Sequence, residues 1–184
     1  TYSIATPPSL ETALELNVRL VPGGIGSGYV HNTLKVGDAV TFSGPYSGYA
    51  RCDDANPLLC VAGGSGMAPV LSILRHLDER KSPRKIVYFF GAKTSVDLCY
   101  MDELQALEKS LPDFAFVPVV EQPTEAERAR YETGLVTEAI ARRVADASAC
   151  SAYLCGGPGM LNACCDVLSK TGLRSENVFF DKFG

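Results

Sequence analysis

Histidine and long apolar runs are both scarce in this sequence. The two histidines, His31 and His76, lie far apart, so no histidine-based metal site is predicted. No apolar run approaches the roughly 20 residues that a membrane-spanning helix needs, and the first residues do not resemble a secretory signal peptide. We therefore expect a globular protein with no transmembrane segment.

Positively charged residues are fewer than negatively charged ones, and the 184-residue chain has a formal net charge of −4 at pH 7. This balance gives no support for a polyanionic partner such as nucleic acid. Two catalytic motifs are missing as well. No Walker lysine follows a glycine loop and no Gly-x-Ser-x-Gly elbow occurs, which argues against other kinds of parallel-sheet enzyme.

The seven cysteines are an odd number, and most lie in apolar stretches such as residues 58–61. This pattern is typical of buried, reduced thiols rather than of a disulfide framework, so we expect a cytoplasmic location. Cys150 and Cys155 match the first gap of a plant-type iron–sulfur motif, but the next cysteine, Cys164, lies too far along. We therefore predict neither an iron–sulfur cluster nor another metal site in this chain.

The chain changes character at Pro57. Before it, short apolar runs alternate with turn residues, a pattern that favours β structure, with one short helix beginning near Ser27. After it, strand-like runs alternate with segments of helical spacing, which predicts an α/β fold with a five-stranded parallel sheet and helices on both faces. A surface loop or short extra helix is predicted at residues 122–133. The predicted strands are residues 58–62, 85–90, 114–120, 151–155 and 177–180.

Two glycine-rich turns lie between a predicted strand and its helix, at residues 63–69 and 155–160. Glycine allows a ligand to approach the backbone closely, and a helix N-terminus offers free N–H groups to phosphate. Ligands of an open parallel sheet bind at the carboxyl ends of its strands. Either turn alone is equally consistent with a tight connection without a ligand. Two such turns at one edge, with Lys93 after the second strand, predict a nucleotide cleft.

Six motifs in this order resemble the ferredoxin–NADP⁺ reductase superfamily. The motifs are Tyr2-Ser3, Gly24-x-x-Ser27, Gly-Pro-Tyr at residues 44–46, the turns at residues 63–69 and 155–160, and Phe-Asp-Lys-Phe at residues 180–183. The chain is most similar to reductase components of bacterial multicomponent oxygenases, such as phenol hydroxylase and soluble methane monooxygenase. The flavin subunit of the Na⁺-translocating NADH:quinone reductase is similar as well. The resemblance implies the C-terminal part of an antiparallel FAD-binding β-barrel at residues 1–54 and an NAD(P)-binding domain at residues 55–184.

The resemblance also implies where FAD binds. Tyr2 packs on the isoalloxazine ring and Ser3 lies near its N5 atom. Gly24 and Ser27 match the turn that holds the FAD pyrophosphate. Arg19 is placed to help there, although it is equally consistent with an exposed strand residue. The arginine that precedes Tyr-Ser in the family has no counterpart, because it would fall just before the first residue.

Three residues are implied in the reaction itself: Ser3, Cys155 beside the nicotinamide ring, and Phe183, which covers the flavin and must move aside for the nicotinamide. The remaining implied cofactor contacts are Gly64, Ser65, Gly66, Met67, Pro69, Lys93, Gly156, Gly157, Pro158, Met160 and Asp181.

The implied reaction is hydride transfer from the nicotinamide C4 atom to the flavin N5 atom. Electrons then pass singly to an iron–sulfur centre on a missing domain or on a partner such as an oxygenase component. We expect NADH to be preferred over NADPH, because a 2′-phosphate site normally clusters several cations. Only Lys93 follows the second strand, and Asp97 comes soon after it. A nucleotide-binding module without turnover and an inactive fragment without bound flavin remain open alternatives.

Overall fold

A six-stranded parallel sheet forms the centre of the computed structural model, which describes residues 1–46 and 54–182. The strands are β1 (Leu58–Gly63), β2 (Ile86–Ala92), β3 (Phe114–Val120), β4 (Glu132–Thr133), β5 (Ser151–Gly156) and β6 (Val178–Lys182). The helices are α1 (Ile25–Asn32), α2 (Met67–Glu79), α3 (Met101–Ser110), α4 (Val136–Arg143) and α5 (Pro158–Lys170). Hydrogen-bonded neighbours follow the order β4-β3-β2-β1-β5-β6, and each pair is parallel.

The predicted α/β architecture is confirmed, with one correction to the number of strands. The sheet has six strands rather than five, because β4 pairs with the end of β3. β4 lies in the segment predicted to be a loop or short helix, which also contains a 3₁₀ turn at Glu125–Glu127. A strand of two residues is too short to show an alternating apolar pattern, so β4 could not be predicted from the sequence.

The sheet is covered on both faces, as its apolar strands require. All six residues of β5 are buried: Tyr153 belongs to the apolar core on one face, and Ala152 and Leu154 belong to the core on the other. Helices α2 and α3 pack on one face through side chains such as Leu71 and Leu104. Helices α4 and α5 cover the other through Ile140 and Leu161. Burying each such side chain contributes about 1.5–3 kcal/mol, so the helices are held to the sheet along their whole length.

Residues 1–46 have much less regular structure than the sheet domain. They contain α1 and one isolated antiparallel bridge, between Ile4 and Leu16. The apolar run at residues 39–43 was expected to be β-like, but it forms no strand because no other described segment pairs with it. Most large apolar side chains exposed in the described residues lie in this segment, including Ile25 and Phe42.

The order of the strands creates a crevice between β1 and β5. The chain lays β2, β3 and β4 on one side of β1 and then crosses to place β5 and β6 on the other. Connections leave β1 and β5 in opposite directions, so their carboxyl ends are left open between the two sets of helices. This reversal is where open parallel sheets bind ligands.

Candidate active site

The two glycine-rich turns meet at this crevice. Ala62 and Cys155 are paired at the ends of β1 and β5, so the turns that follow are neighbours. A Cβ atom added at Gly66 would lie 2.4 Å from the carbonyl oxygen of Cys155, so only glycine fits there. Gly64 has a φ of 55°, a left-handed conformation that glycine adopts readily. The backbones of both turns are thus within reach of one ligand.

Met160 lies across both turns. A Cβ atom at Gly63 would be 2.7 Å from its sulfur, and one at Gly156 would be 2.6 Å from its methyl group. The space beside Gly157 is open, since nothing lies within 4 Å of a Cβ placed there. Gly157 is the N-cap of α5 and Pro158 its first residue, so the first N–H groups of α5 lack partners within the helix. This combination of bare backbone and helix N-terminus fits a pyrophosphate.

The other turn residues divide into exposed and buried ones. Ser65 is partly exposed at the crevice. Met67 and Pro69 are buried, and Met67 is part of the core beneath α2. Their side chains therefore support the turn from below rather than face the crevice.

Cys155 and Asp181 lie side by side at the ends of β5 and β6. Cys155 is fully buried, and burial followed by the nearby charge of Asp181 raises the pKa of its thiol far above the usual range. The thiol is therefore neutral at physiological pH, which makes it a poor nucleophile. Cys155 is a small, polarisable residue enclosed at the end of β5, beside the crevice.

Ser3 reaches this edge from the opposite end of the chain. Its hydroxyl donates a hydrogen bond of 2.9 Å to Asp181 Oδ2. The neighbouring Tyr2 lies at the start of α1, because a Cβ atom at Gly26 would be 2.7 Å from its hydroxyl oxygen. Tyr2 remains 40% exposed, which leaves ring surface for a planar ligand.

The start of α1 has the features of an anion site. Gly24 is its N-cap, and no side chain caps the helix. Ser27 is buried and its hydroxyl oxygen accepts a hydrogen bond from the Val21 N–H at 3.1 Å. The Ser27 hydroxyl hydrogen and the first N–H groups of the helix remain available to a phosphate.

Arg19 and Lys93 are both exposed and lie near Asp97. The hydroxyl and backbone N–H of Thr94 donate to Asp97 Oδ2 at 2.8 and 3.0 Å. These hydrogen bonds, with smaller effects from Lys93 and Arg19, lower the pKa of Asp97. Arg19 is therefore placed by the loop after β2, with an ionised carboxylate beside it.

Sequence reasoning missed an acidic residue in the loop after β3. Glu127 accepts a hydrogen bond from the Ser95 hydroxyl, and this bond is the main reason why the pKa of Glu127 is lowered. The loops after β2 and β3 are thus joined at the carboxyl edge of the sheet. The spacing Thr124-x-x-Glu127 is a capping box, a signal in the sequence that could have placed this carboxylate at a helical turn.

The third residue implied in the reaction, Phe183, lies outside the described residues, and its role stays a prediction. In the part of the chain that the structure describes, no group of histidine, cysteine and acidic side chains could hold a metal ion. Over residues 1–46 and 54–182, no helix is long and apolar enough to cross a membrane.

Family models divide the chain at nearly the same place as the structure does. Residues 60–166 match the oxidoreductase NAD-binding domain, and residues 1–50 match the oxidoreductase FAD-binding domain. The chain belongs to the oxidoreductase NAD-binding domain family. The FAD-binding match covers Ser3 and the start of α1, while the NAD-binding match contains both glycine-rich turns. The crevice between β1 and β5 therefore lies in the NAD-binding match, and Ser3 brings the FAD-binding match to the same edge of the sheet.

Individual relatives of this chain confirm the resemblance to reductase components of oxygenases. The reductase component of propane 2-monooxygenase from Mycolicibacterium goodii is 34% identical over 186 residues, which cover 99% of this chain and 53% of that protein. The reductase component of phenol 2-monooxygenase from Pseudomonas sp. (strain CF600) is 36% identical over 185 residues, covering 99% and 52%. The chain spans about half the length of the curated relatives it matches.

A solved structure agrees with these relatives. The crystal structure of Amycolatopsis cytochrome P450 reductase GcoB superposes with a TM-score of 0.84 at 27% identity, covering 99% of this chain and 55% of that one.

Proposed function

We propose that this chain brings NADH and FAD together for hydride transfer and passes the electrons to a separate acceptor. The observation that carries the proposal is the hydrogen bond from Ser3 to Asp181. It fixes a residue of the FAD-binding match at the carboxyl edge of the sheet, next to Cys155 and the turn at residues 63–67. A nicotinamide on that turn and a flavin on Tyr2 would share this edge.

Each cofactor has residues here that fit it. The first turns of α1 would hold the FAD pyrophosphate, and Gly157 with the start of α5 would hold that of the nucleotide. Bound NADH supplies a hydride, and bound FAD accepts it and can release the electrons one at a time. The protein contributes position and exclusion of water, and no side chain has to act as a strong acid or base.

Ser3 and Cys155 would have different tasks in this arrangement. Because the Ser3 hydroxyl hydrogen is held by Asp181, the oxygen can still accept a hydrogen bond. It therefore suits the N–H that N5 of a reduced flavin presents. Cys155, buried and neutral, would pack under the nicotinamide without reacting.

The electron acceptor is proposed from the relatives. Those described above are reductase components of monooxygenases, and they are about twice as long as this chain. We propose an iron–sulfur centre, on another domain or on an oxygenase component, as the acceptor. A cytoplasmic location is part of the proposal, because the cysteines of the described residues form no disulfide, as is usual in a reducing compartment.

A nucleotide-binding module without flavin is the second candidate. It is favoured by the N-terminal segment, in which the described residues form one β-bridge rather than a set of paired strands. On this alternative the crevice between β1 and β5 binds nucleotide, and Tyr2 and Ser3 contact no flavin.

The test is anaerobic mixing of the purified, FAD-supplemented protein with NADH while flavin absorbance is followed. The proposal predicts that flavin co-purifies or binds on addition, and that NADH bleaches it. Nucleotide binding without flavin binding would establish the second candidate instead. Bound flavin that NADH does not reduce would reject hydride transfer.

A further inference from the structure

A network of polar contacts outside the crevice surrounds Arg75, in the middle of α2. Arg75 Nε and Nη2 donate to the two carboxylate oxygens of Glu103 at 2.6 and 2.8 Å. Its Nη1 donates to Glu15 Oε2 at 2.6 Å and to the carbonyl oxygen of Ala5 at 2.9 Å. The Tyr100 hydroxyl donates to the other oxygen of Glu15 at 2.5 Å. We call the side chains of Arg75, Glu15, Tyr100 and Glu103 the Arg75 clamp.

The clamp ties the N-terminal segment to two helices of the sheet domain. Glu103 lies in the first turn of α3, and Tyr100 is the N-cap of that helix. Ala5 is buried in the core beneath α2, and its N–H donates to the Glu15 carbonyl oxygen at 2.9 Å. Ala5 is therefore held at both backbone groups, one of them by Arg75. Charge-assisted and bidentate hydrogen bonds of this kind fix geometry more firmly than neutral ones.

Tyr100 shows that the contact is specific. Its φ is 58°, a left-handed conformation that is uncommon for a bulky residue. In this conformation the Tyr100 hydroxyl reaches Glu15, and the Arg75 guanidinium lies 5.9 Å from the centroid of the tyrosine ring. One residue earlier, the Cys99 sulfur accepts a hydrogen bond from Asn17 Nδ2 at 3.6 Å. Side chains on one face of the N-terminal segment thus meet successive residues before α3.

The position of Arg75 along α2 links this network to the crevice. α2 begins at Met67, directly after the turn at residues 64–66, and Arg75 follows eight residues later. At a rise of 1.5 Å per residue, the two lie about 12 Å apart on one rigid helix. Ser3 is two residues from Ala5. The same helix therefore begins at the glycine-rich turn of residues 63–69, which we call the nicotinamide turn. About two helical turns later, Arg75 binds the segment that contains Ser3.

We propose that Arg75 is a positioning residue, which sets the distance between the flavin-side residues Tyr2 and Ser3 and the nicotinamide turn. This inference rests on the proposed function. Loosening the clamp releases the carbonyl oxygen of Ala5 and lets the flavin-side segment shift, while the glycine-rich turns that hold the nucleotide stay unchanged. A misplacement of about 1 Å costs on the order of 100-fold in a transfer that depends on orientation. The rate of flavin reduction therefore depends on Arg75, and nucleotide affinity does not.

The test compares Arg75→Met with Arg80→Met in the flavin-loaded protein. Arg80 is exposed just after α2 and serves as the matched control. For Arg75→Met we expect the reduction rate per bound flavin at saturating NADH to fall about 10- to 100-fold, with an unchanged Kd for NAD⁺. Arg80→Met should match the parent protein. An unchanged rate per flavin in Arg75→Met would overturn the proposal.

A milder variant guards against simple loss of folding. Tyr100→Phe removes only the hydroxyl that bonds Glu15, and it should lower the rate per flavin in the same direction. A merely structural role would reduce flavin content and the Tm while leaving the rate per bound flavin unchanged, and this result would also count against positioning.

Amide hydrogen exchange of the 184-residue chain provides a readout that needs no reaction. Arg75→Met should speed exchange at residues 3–6 and leave β1 and β5 unchanged, whereas equal protection at residues 3–6 would refute the clamp. If the parent protein does not reduce flavin, the proposed function fails, but this exchange comparison still decides whether Arg75 holds the segment.

Discussion

The hydroxyl of Ser3 donates a 2.9 Å hydrogen bond to Asp181 Oδ2, and this contact joins the two ends of the described chain at one edge of the sheet. Asp181 lies beside Cys155 through the pairing of β6 with β5. The contact therefore places a residue of the FAD-binding match beside the crevice between β1 and β5.

Ser3→Ala should slow flavin reduction by about 10- to 100-fold, because the flavin loses a contact that fixes its orientation. Asp181→Asn should have a smaller effect in the same direction, since an amide can still accept the Ser3 hydrogen. Stopped-flow reduction by NADH measures both rates. Ser9→Ala is the control, because that hydroxyl bonds Glu79 on the exposed surface. Equal rates in Ser3→Ala and Ser9→Ala would remove Ser3 from the mechanism.

NADH should give a higher kcat/KM than NADPH. The loop after β2 holds an ionised Asp97 in place, and Glu127 is fixed beside it through Ser95. A 2′-phosphate here would meet Lys93 and Arg19, but it would be repelled by the two carboxylates. Asp97→Asn should narrow the difference between the nucleotides, whereas Asp166→Asn, an exposed change on α5, should not. An equal or higher value with NADPH in the parent protein would contradict this prediction.

Gly66→Ala should destabilise the protein by about 1–3 kcal/mol, because overpacking at a close contact forces the backbone apart. The added Cβ would lie 2.4 Å from the Cys155 carbonyl oxygen, and the shift should weaken NAD⁺ binding as well. Gly159→Ala, in the first turn of α5, is the matched control for stability alone, because a Cβ there meets nothing within 4 Å. Thermal unfolding and NAD⁺ titration report the two effects. Similar stability in both variants would show that the two turns are not in tight contact.

Ionisation of Tyr100 at alkaline pH should weaken the Arg75 clamp and lower the stability of the folded protein. Burial, and then the hydrogen bond to Glu15, raise the pKa of Tyr100 from 10.0 to about 12. A raised pKa favours the neutral phenol in the folded state, so its stabilising contribution is complete below pH 10 and is lost as pH rises towards 12. The Tm of Tyr100→Phe should therefore fall less over this interval than that of the parent. Burial also raises the pKa of Tyr88, so ionisation of Tyr88 should lower the Tm of both proteins at alkaline pH. Parallel Tm curves for the two proteins would show that Tyr100 is not held by the clamp.

Some of this site followed from the sequence. Continuous apolar runs such as residues 58–62 indicate strands buried on both faces, and alternation with helical spacing makes those strands parallel. The carboxyl ends of parallel strands share one edge, so the turns at residues 63–69 and 155–160 had to lie there together. These features are local, because they depend on residues close to one another in the chain.

The remaining features required the tertiary structure. β4 is only two residues long, and the apolar run at residues 39–43 pairs with no other described segment. The spacing of apolar residues could therefore not show which of these two segments forms a strand. Arg19 lies near Asp97 in the loop after β2, a proximity that only the packing of the two segments decides, and its contact with the pyrophosphate stays a prediction. Arg75 binds Glu15 and Ala5, which are 60 and 70 residues away in the chain. Ser3 binds Asp181, which is 178 residues away. Short-range patterns determine where strands and turns form, whereas the pairing of side chains so far apart depends on how the segments pack in space.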